Sequence, residues 1–199
     1  MRRSLAYAAF AFALAASPMA FAAPSTNPTD MPAGTYALEK THASITAQVD
    51  HFGFSGYTFR FDKFDASYSY DPAKPTASVL KVTVDVNSMN TGFDKADAQF
   101  PAEFLAADKH PTATFVSKSI QPGAGNKGVV TGDLTLAGVT KPVSLDVTFN
   151  GSGKDMFGAI RSGFTATTTI KRTEFGSTKY APAIGDDVKL TIDVEFTKQ

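Results

Sequence analysis

The chain contains no cysteine among its 199 residues. No disulfide can hold it, so its core must suffice in whatever redox compartment it occupies. Thiol catalysis, thiolate metal sites and lipid attachment at an N-terminal cysteine are all excluded. Charge of one sign is missing too. Arg2 and Arg3 lie in an export leader, and removing them from 19 basic residues against 19 acidic ones leaves a net charge of −2. No basic stripe marks a nucleic-acid binder, and no charged tail follows the last strand.

Long hydrophobic runs are also lacking. The longest apolar stretch, Leu5–Ala16, falls short of the roughly 20 residues that span a bilayer. Arg2 and Arg3 before it, Pro18 after it and the small-x-small pattern Ala20-Phe21-Ala22 make residues 1–22 a cleavable signal peptide. The mature chain then starts at Ala23, long enough for one well-cored domain. Residues 23–34, rich in Pro and polar side chains, read as a disordered lead-in. Order is expected from Thr35 to Lys198 without another linker.

Catalytic patterns are scarce. His42 and Ser44 share one face of a strand, but no Gly-x-Ser-x-Gly elbow or oxyanion-hole turn accompanies them. His51 and Asp50 point to opposite faces. The three His residues are widely spaced, with no zinc-binding pattern. Asp94, Asp97, Asp186 and Asp187 read as surface or turn carboxylates, and Gly123, Gly125 and Gly128 as a hairpin turn rather than a phosphate loop. The chain is read as a non-enzyme without metal or cofactor.

What is present is alternation at period two. Val130, Leu134 and Leu136 oppose Thr131, Asp133 and Thr135, and Val143, Leu145, Val147 and Phe149 oppose Ser144, Asp146 and Thr148. Gly138 and Pro142 break the two runs, which makes a β-hairpin with its exposed tip at Val139–Lys141. The same rhythm places Ile45, Ala47 and Val49 on one face, as it does Tyr57, Phe59 and Phe61. After a kink at Asp62-Lys63 it resumes with Phe64, Ala66, Tyr68 and Tyr70. It recurs at Leu80–Val86, Phe164–Ile170 and Val188–Phe196, with a shorter strand at Ala113–Ile120. About eight strands at hairpin spacing give an all-β antiparallel fold. Sandwich and barrel both fit, but a barrel removes the exposed edges. Ala47, Ala66, Ala113, Gly132 and Ala166 on the inner face stand equally for interior space or for room taken by large aromatics.

One segment breaks the rhythm. Asp94–Ala107 is rich in helix formers, with Phe93, Phe100 and Phe104 spaced for one face, Pro101 splitting it into two short pieces and Asn90-Thr91 able to cap its start. Between barrel strands it would serve as a plug or as a lid over a ligand entrance.

Ordered blocks along the chain resemble the YceI-like family of bacterial periplasmic, polyisoprenoid-binding, lipocalin-like proteins. They run from Tyr36-Ala37-Leu38-Glu39-Lys40-Thr41-His42-Ala43-Ser44 and His51-Phe52-Gly53-Phe54-Ser55 through Phe61-Asp62-Lys63-Phe64 and Asn87-Ser88-Met89-Asn90-Thr91-Gly92. They continue with Lys109–Phe115, Gly132–Val143, Arg161–Ala166, Ile170–Gly176 and Val188–Val194. The resemblance implies an extended antiparallel eight-stranded lipocalin-like barrel over 35–198, with the helical excursion at about 94–107. It also implies an apolar cavity for an isoprenoid lipid, quinone or similar amphiphile, and no reaction. The family usually carries Arg-Asp-x-His-Leu where this chain has Ala96-Asp97-Ala98-Gln99-Phe100, so headgroup contacts differ here.

Burying a five-carbon isoprene unit is worth roughly 3–4 kcal/mol gross, so chain length outweighs headgroup in setting selectivity. The expected cavity lining is Phe59, Phe61, Val82, Val84, Leu134, Leu136, Val147, Phe149, Phe164, Ile170, Ile192 and Val194, each of which reads equally well as ordinary core. The expected function is a periplasmic lipid carrier, buffer or store, in transient contact with the membrane or a membrane redox protein. The alternative is a stress-response accessory protein with structural lipid. The oligomeric state stays open between monomer and homodimer.

Overall fold

The alternating segments form the strands of one antiparallel sheet that closes on itself. A computed structural model describes residues 23–199; the signal peptide expected at 1–22 lies outside the described residues. The strands are β1 (Gly34–His51), β2 (Ser55–Phe61), β3 (Phe64–Tyr70), β4 (Val79–Asp85), β5 (Met89–Asn90), β6 (Thr112–Pro122), β7 (Lys127–Leu136), β8 (Val139–Lys154), β9 (Ile160–Lys171) and β10 (Ile184–Lys198). Helix α1 spans Asp94–Leu105.

Pairing of β1 with β10 closes the ring, from Tyr36 opposite Lys198 to Val49 opposite Val188. Strands β2 and β3 are two halves of one wall strand: both pair with β1, at Thr46–His51 and at Gly34–Ala37 respectively. The kink at Asp62-Lys63 separates them, held by Ser88, whose carbonyl accepts from the Asp62 N–H and whose hydroxyl accepts from the Lys63 N–H. The barrel therefore has eight strands, each turning an apolar face inward and a polar face outward.

Strand β2 pairs with β1 from Ser55 to Arg60 but not with β4. It bonds only β1 and, at Arg60 and Phe61, the short β5, whereas β4 bonds β3 and β6. This parting of the wall is where α1 lies. Asp97 reaches back from the first turn, accepting from the Thr91 N–H and hydroxyl, each at 2.7 Å. At the other end Ala106 adopts a left-handed conformation and the Ala107 N–H donates to the Pro101 carbonyl at 3.1 Å.

Two expectations for this helix are corrected. Pro101 does not split it: one helix runs through the proline, which lacks the N–H that would have bonded the Asp97 carbonyl. Burial of Ala96 and Pro101, with the helix packed on residues 86–90, offsets that loss. Phe93 does not share the inward face; it occupies the N-cap in an extended conformation and is 63% exposed.

The lead-in is also corrected. Residues 23–34 are not disordered but lie against one end of the barrel. Ser25 exchanges two 2.9 Å backbone hydrogen bonds with Ser152, and a 3-10 turn at Pro28–Asp30 follows. The carbonyls of Pro28 and Pro32 each accept a 2.7 Å bond, from the hydroxyls of Tyr70 and Tyr36. Met31 is buried among Tyr36, Leu38, Tyr68, Phe149 and Phe196. Proline-rich polar chain acquires order here because its carbonyls and one apolar side chain meet partners supplied by the barrel.

The β7–β8 hairpin turns more tightly than its sequence suggests. Leu136 pairs with Val139, so Ala137-Gly138 forms the tip, and Pro142 pairs with Asp133 inside β8. Both tip residues have positive φ, 50° and 79°, which is the requirement of a type I′ turn. A side chain at Gly138 would also meet the His110 ring at 2.6 Å. Gly138→Ala is expected to lower stability by about 1 kcal/mol or more; an unchanged urea midpoint would contradict this turn geometry.

Candidate functional site

The barrel interior divides into two halves. At the end sealed by the lead-in, aromatic rings fill the space. Tyr36 stacks on Tyr68 at 4.8 Å, and Tyr68 meets Phe196 and Phe164 edge-on at 4.9 and 5.7 Å. Phe164 in turn packs on Phe149 at 5.3 Å. The buried Tyr68 hydroxyl shares a 2.6 Å hydrogen bond with Ser162, and burial pushes its pKa well up, keeping it neutral.

The other half holds a cavity of about 600 Å³. Ile45, Ala47 and Val49 of β1, Val82 and Val84 of β4, and Ala113 and Phe115 of β6 form part of its wall. Leu134 and Leu136 of β7, Val143 and Leu145 of β8, Ile170 of β9 and Val188, Leu190 and Ile192 of β10 complete it. Alternation sends these side chains inward from seven strands, and no charge stands among them. A volume of this size lies in the range that encloses a small organic ligand.

The mouth opens beside α1 and is rimmed by rings. His51 meets Phe52 edge-on at 4.7 Å and lies 6.1 Å from Tyr57. Tyr57 lies 6.2 Å from Phe100, Phe100 meets Phe104 edge-on at 5.1 Å, and Phe104 lies 6.2 Å from Tyr180. Phe59 and Phe61 of β2 continue the apolar surface inward. Apart from Thr168 on β9, deeper in the wall, the polar groups lie at this level: Gln99 and Glu103 of α1, His51, Ser177 and Arg172. Glu103 is already paired with Lys179, which also lies 5.1 Å from the Tyr180 ring. Helix α1 thus stands at the entrance with Phe100 and Phe104 inward.

Of the residues expected to line a cavity, Phe59, Phe61, Val82, Val84, Leu134, Leu136, Ile170 and Ile192 are brought together around it. Val147, Phe149, Phe164 and Val194 are not. Phe149, Phe164 and Val194 belong to the filled aromatic end, and Val147 packs on the buried layer of Phe115, Val130, Leu145 and Ala166. Small inner residues divide the same way: Ala47 and Ala113 border the cavity, whereas the Phe115 ring occupies the space a side chain at Gly132 would need, 2.6 Å from its Cβ position.

Sequence reasoning passed over Arg172, Tyr180 and the inward pair Phe100 and Phe104 as site residues. A usable signal existed for Arg172, which continues the inward parity of Thr168 and Ile170 into the turn after β9. It is buried, and its guanidinium donates to the carbonyls of Ser177, Lys179, Ile184 and Gly185 at 2.6–3.0 Å. It thereby ties the loop bearing Ser177 and Tyr180 to the barrel rim.

The other candidates disperse. His42 lies near Glu195, 3.9 Å away, and is exposed; neither it nor Ser44 borders the cavity. Asp50 accepts from the Gly53 N–H, and Asp187 pairs with Lys171 at 2.8 Å. Among the described residues no group of three metal-ligating side chains converges.

The YceI-like domain matches residues 36–196, and the chain belongs to that family. It is 39% identical over 170 residues to a UPF0312 protein of Ectopseudomonas mendocina, covering 84% of this chain and 89% of the relative. The crystal structure of Burkholderia cenocepacia BcnA superposes with a TM-score of 0.72 at 28% identity, covering 79% of this chain and 98% of the other. A polyisoprenoid-binding domain from Saccharophagus degradans has the same fold, with a TM-score of 0.60 at 17% identity, covering 82% and 98%.

Proposed function

We propose that this protein is a periplasmic binding protein that holds an isoprenoid or similar amphiphilic lipid in the barrel cavity and carries, buffers or stores it. The observation that carries this reading is the cavity itself: about 600 Å³, walled by aliphatic and aromatic side chains and open at one aromatic rim. An apolar space of that size gains most from a hydrocarbon tail, at about 0.8 kcal/mol for each buried methylene. The ordering of tail and rim offsets part of that gain. Gln99 and His51 at the mouth would meet the ligand's polar end, and they suit hydrogen bonding to a neutral group. Glu103 is neutralised by Lys179, and the Arg172 guanidinium is already engaged by four backbone carbonyls.

Binding without turnover is part of the proposal: below the rim the wall is apolar apart from Thr168, and of the proton carriers at the mouth Glu103 is already paired with Lys179. Contact with a membrane during loading is supported by the rim: Phe52 and Tyr180 border the cavity yet are 46% and 54% exposed, and Phe54 in the same turn as Phe52 is 89% exposed. Periplasmic location is supported by the leader pattern at 1–22 and by the cysteine-free composition.

Native mass spectrometry of protein recovered from its own periplasm tests this directly. The expected result is a one-to-one adduct whose extracted mass is that of an apolar-tailed lipid. Lipid-free protein that also fails to take up such lipids after delipidation would overturn the proposal.

A further inference from the structure

We infer that the cavity is a blind-ended gauge of hydrocarbon length that admits short isoprenoid tails and turns away long ones. This rests on the lipid-binding reading of the same cavity.

The hydrogen-bonded register lets the floor be located rung by rung. In one rung Ala47 pairs with Leu190 and Leu190 with Thr168, and all three border the cavity. In the next, Ile45 pairs with Ile192, Ile192 with Ala166 and Ala166 with Val147; only the first two border it. One rung further, Ala43, Val194, Phe164 and Phe149 pair in series, and none borders it. Open space therefore ends within one rung on four adjacent strands, below Ile45 and Ile192 on β1 and β10 and below Thr168 and Leu145 on β9 and β8.

What lies beneath is fixed rather than yielding. The Phe164 ring is held by Tyr68, Phe149 and Phe196 at 5.3–6.1 Å. Tyr68 is itself pinned by Ser162 at 2.6 Å and Met31 Sδ at 3.4 Å. Met31, from the lead-in, is 3% exposed and closes the end from outside. Among the described residues, a tail entering beside α1 meets this packed layer at the far end.

The depth follows from strand geometry. From His51 at the mouth to Ile45 at the floor is six residues of β1, roughly 20 Å along the strand and about 15 Å along the axis of a tilted barrel. An isoprene unit adds four chain bonds and, scaled from the three-bond step between Cα atoms, spans about 5 Å. Three to four units, about fifteen to twenty carbons, fill such a depth.

The gauge is tested by offering delipidated wild-type protein an equimolar mixture of farnesol, geranylgeraniol and solanesol in cyclodextrin and weighing the complexes by native mass spectrometry. The expected result is that farnesol and geranylgeraniol adducts exceed solanesol at least tenfold. Phe164→Ala, which opens the next rung, should shift preference toward the longer chains. Should that variant not fold, Thr168→Phe places a ring in the lowest open rung and should shift preference from geranylgeraniol toward farnesol. Equal occupancy by all three alcohols, or a folded Thr168→Phe variant with wild-type preference, would overturn the gauge while leaving lipid binding intact. Uptake of none of the three would instead overturn the lipid-binding reading on which it rests.

Discussion

Replacing Arg172 with alanine is expected to lower the free energy of unfolding by about 3–4 kcal/mol, because hydrogen bonds from a charged donor are worth more than neutral ones and buried acceptors left alone carry a desolvation cost. The residue is 7% exposed. Its Nε donates to the Gly185 carbonyl at 2.8 Å and its Nη2 to that of Ile184 at 2.9 Å. Its Nη1 serves Ser177 at 2.6 Å and Lys179 at 3.0 Å. No carboxylate forms an ion pair with it among the described residues, so the guanidinium acts as a fourfold clamp on backbone rather than as half of a salt bridge. Alanine would release the loop between Ser177 and Ile184, and with it Tyr180 at the cavity mouth. Lysine keeps the charge but not the planar fork, so Arg172→Lys should recover only a minor part of the loss. Urea unfolding of the three proteins measures this, and wild-type stability in Arg172→Ala would contradict the clamp.

Period-two alternation made the strand faces legible, because one residue of slip would turn every apolar side chain outward. The antiparallel all-β fold and the break at Asp62-Lys63 follow from that pattern. Depth did not. Leu145 and Phe149 share one parity along β8, as do Ile192 and Val194 along β10, yet one of each pair borders the cavity and the other lies in the filled end. Whether a rung is open depends on the summed volume of side chains arriving from several strands, and no single strand carries that information. The YceI-like resemblance gave the barrel and an interior cavity, but not where the cavity stops.

The lead-in and helix were misread for a related reason. Residues 23–34 have the composition of a disordered segment, but Tyr36, Tyr68 and Tyr70 supply the hydrogen-bond partners that order them. Pro101 is a helix breaker on propensity alone, and tertiary packing on both sides of it prevails. Tyr180 lies in a loop with no periodicity to read, and long-range contacts bring it to the rim: the Arg172 clamp, the Lys179–Glu103 pair and the Phe104 ring.

Leu134→Trp is expected to abolish lipid uptake, with at least a hundredfold loss of affinity, while the barrel stays folded. Leu134 borders the cavity from β7 and packs on both the Phe115 and Ile170 sides of the interior. A larger side chain there has open space to enter, so the overpacking cost of about 1–3 kcal/mol seen in filled cores should be largely avoided. The indole would occupy the volume that a hydrocarbon tail needs. In a barrel whose interior merely packs, the same change would destabilise it and leave ligand binding elsewhere untouched.

The most direct measurement is the molar ratio of extracted lipid to protein for wild type and Leu134→Trp recovered from the same cells, with thermal melts of both after delipidation. The expected ratio is near one for wild type and near zero for the variant, with similar melting temperatures. Equal lipid content in a normally folded Leu134→Trp protein would show that the lipid does not lie in the barrel.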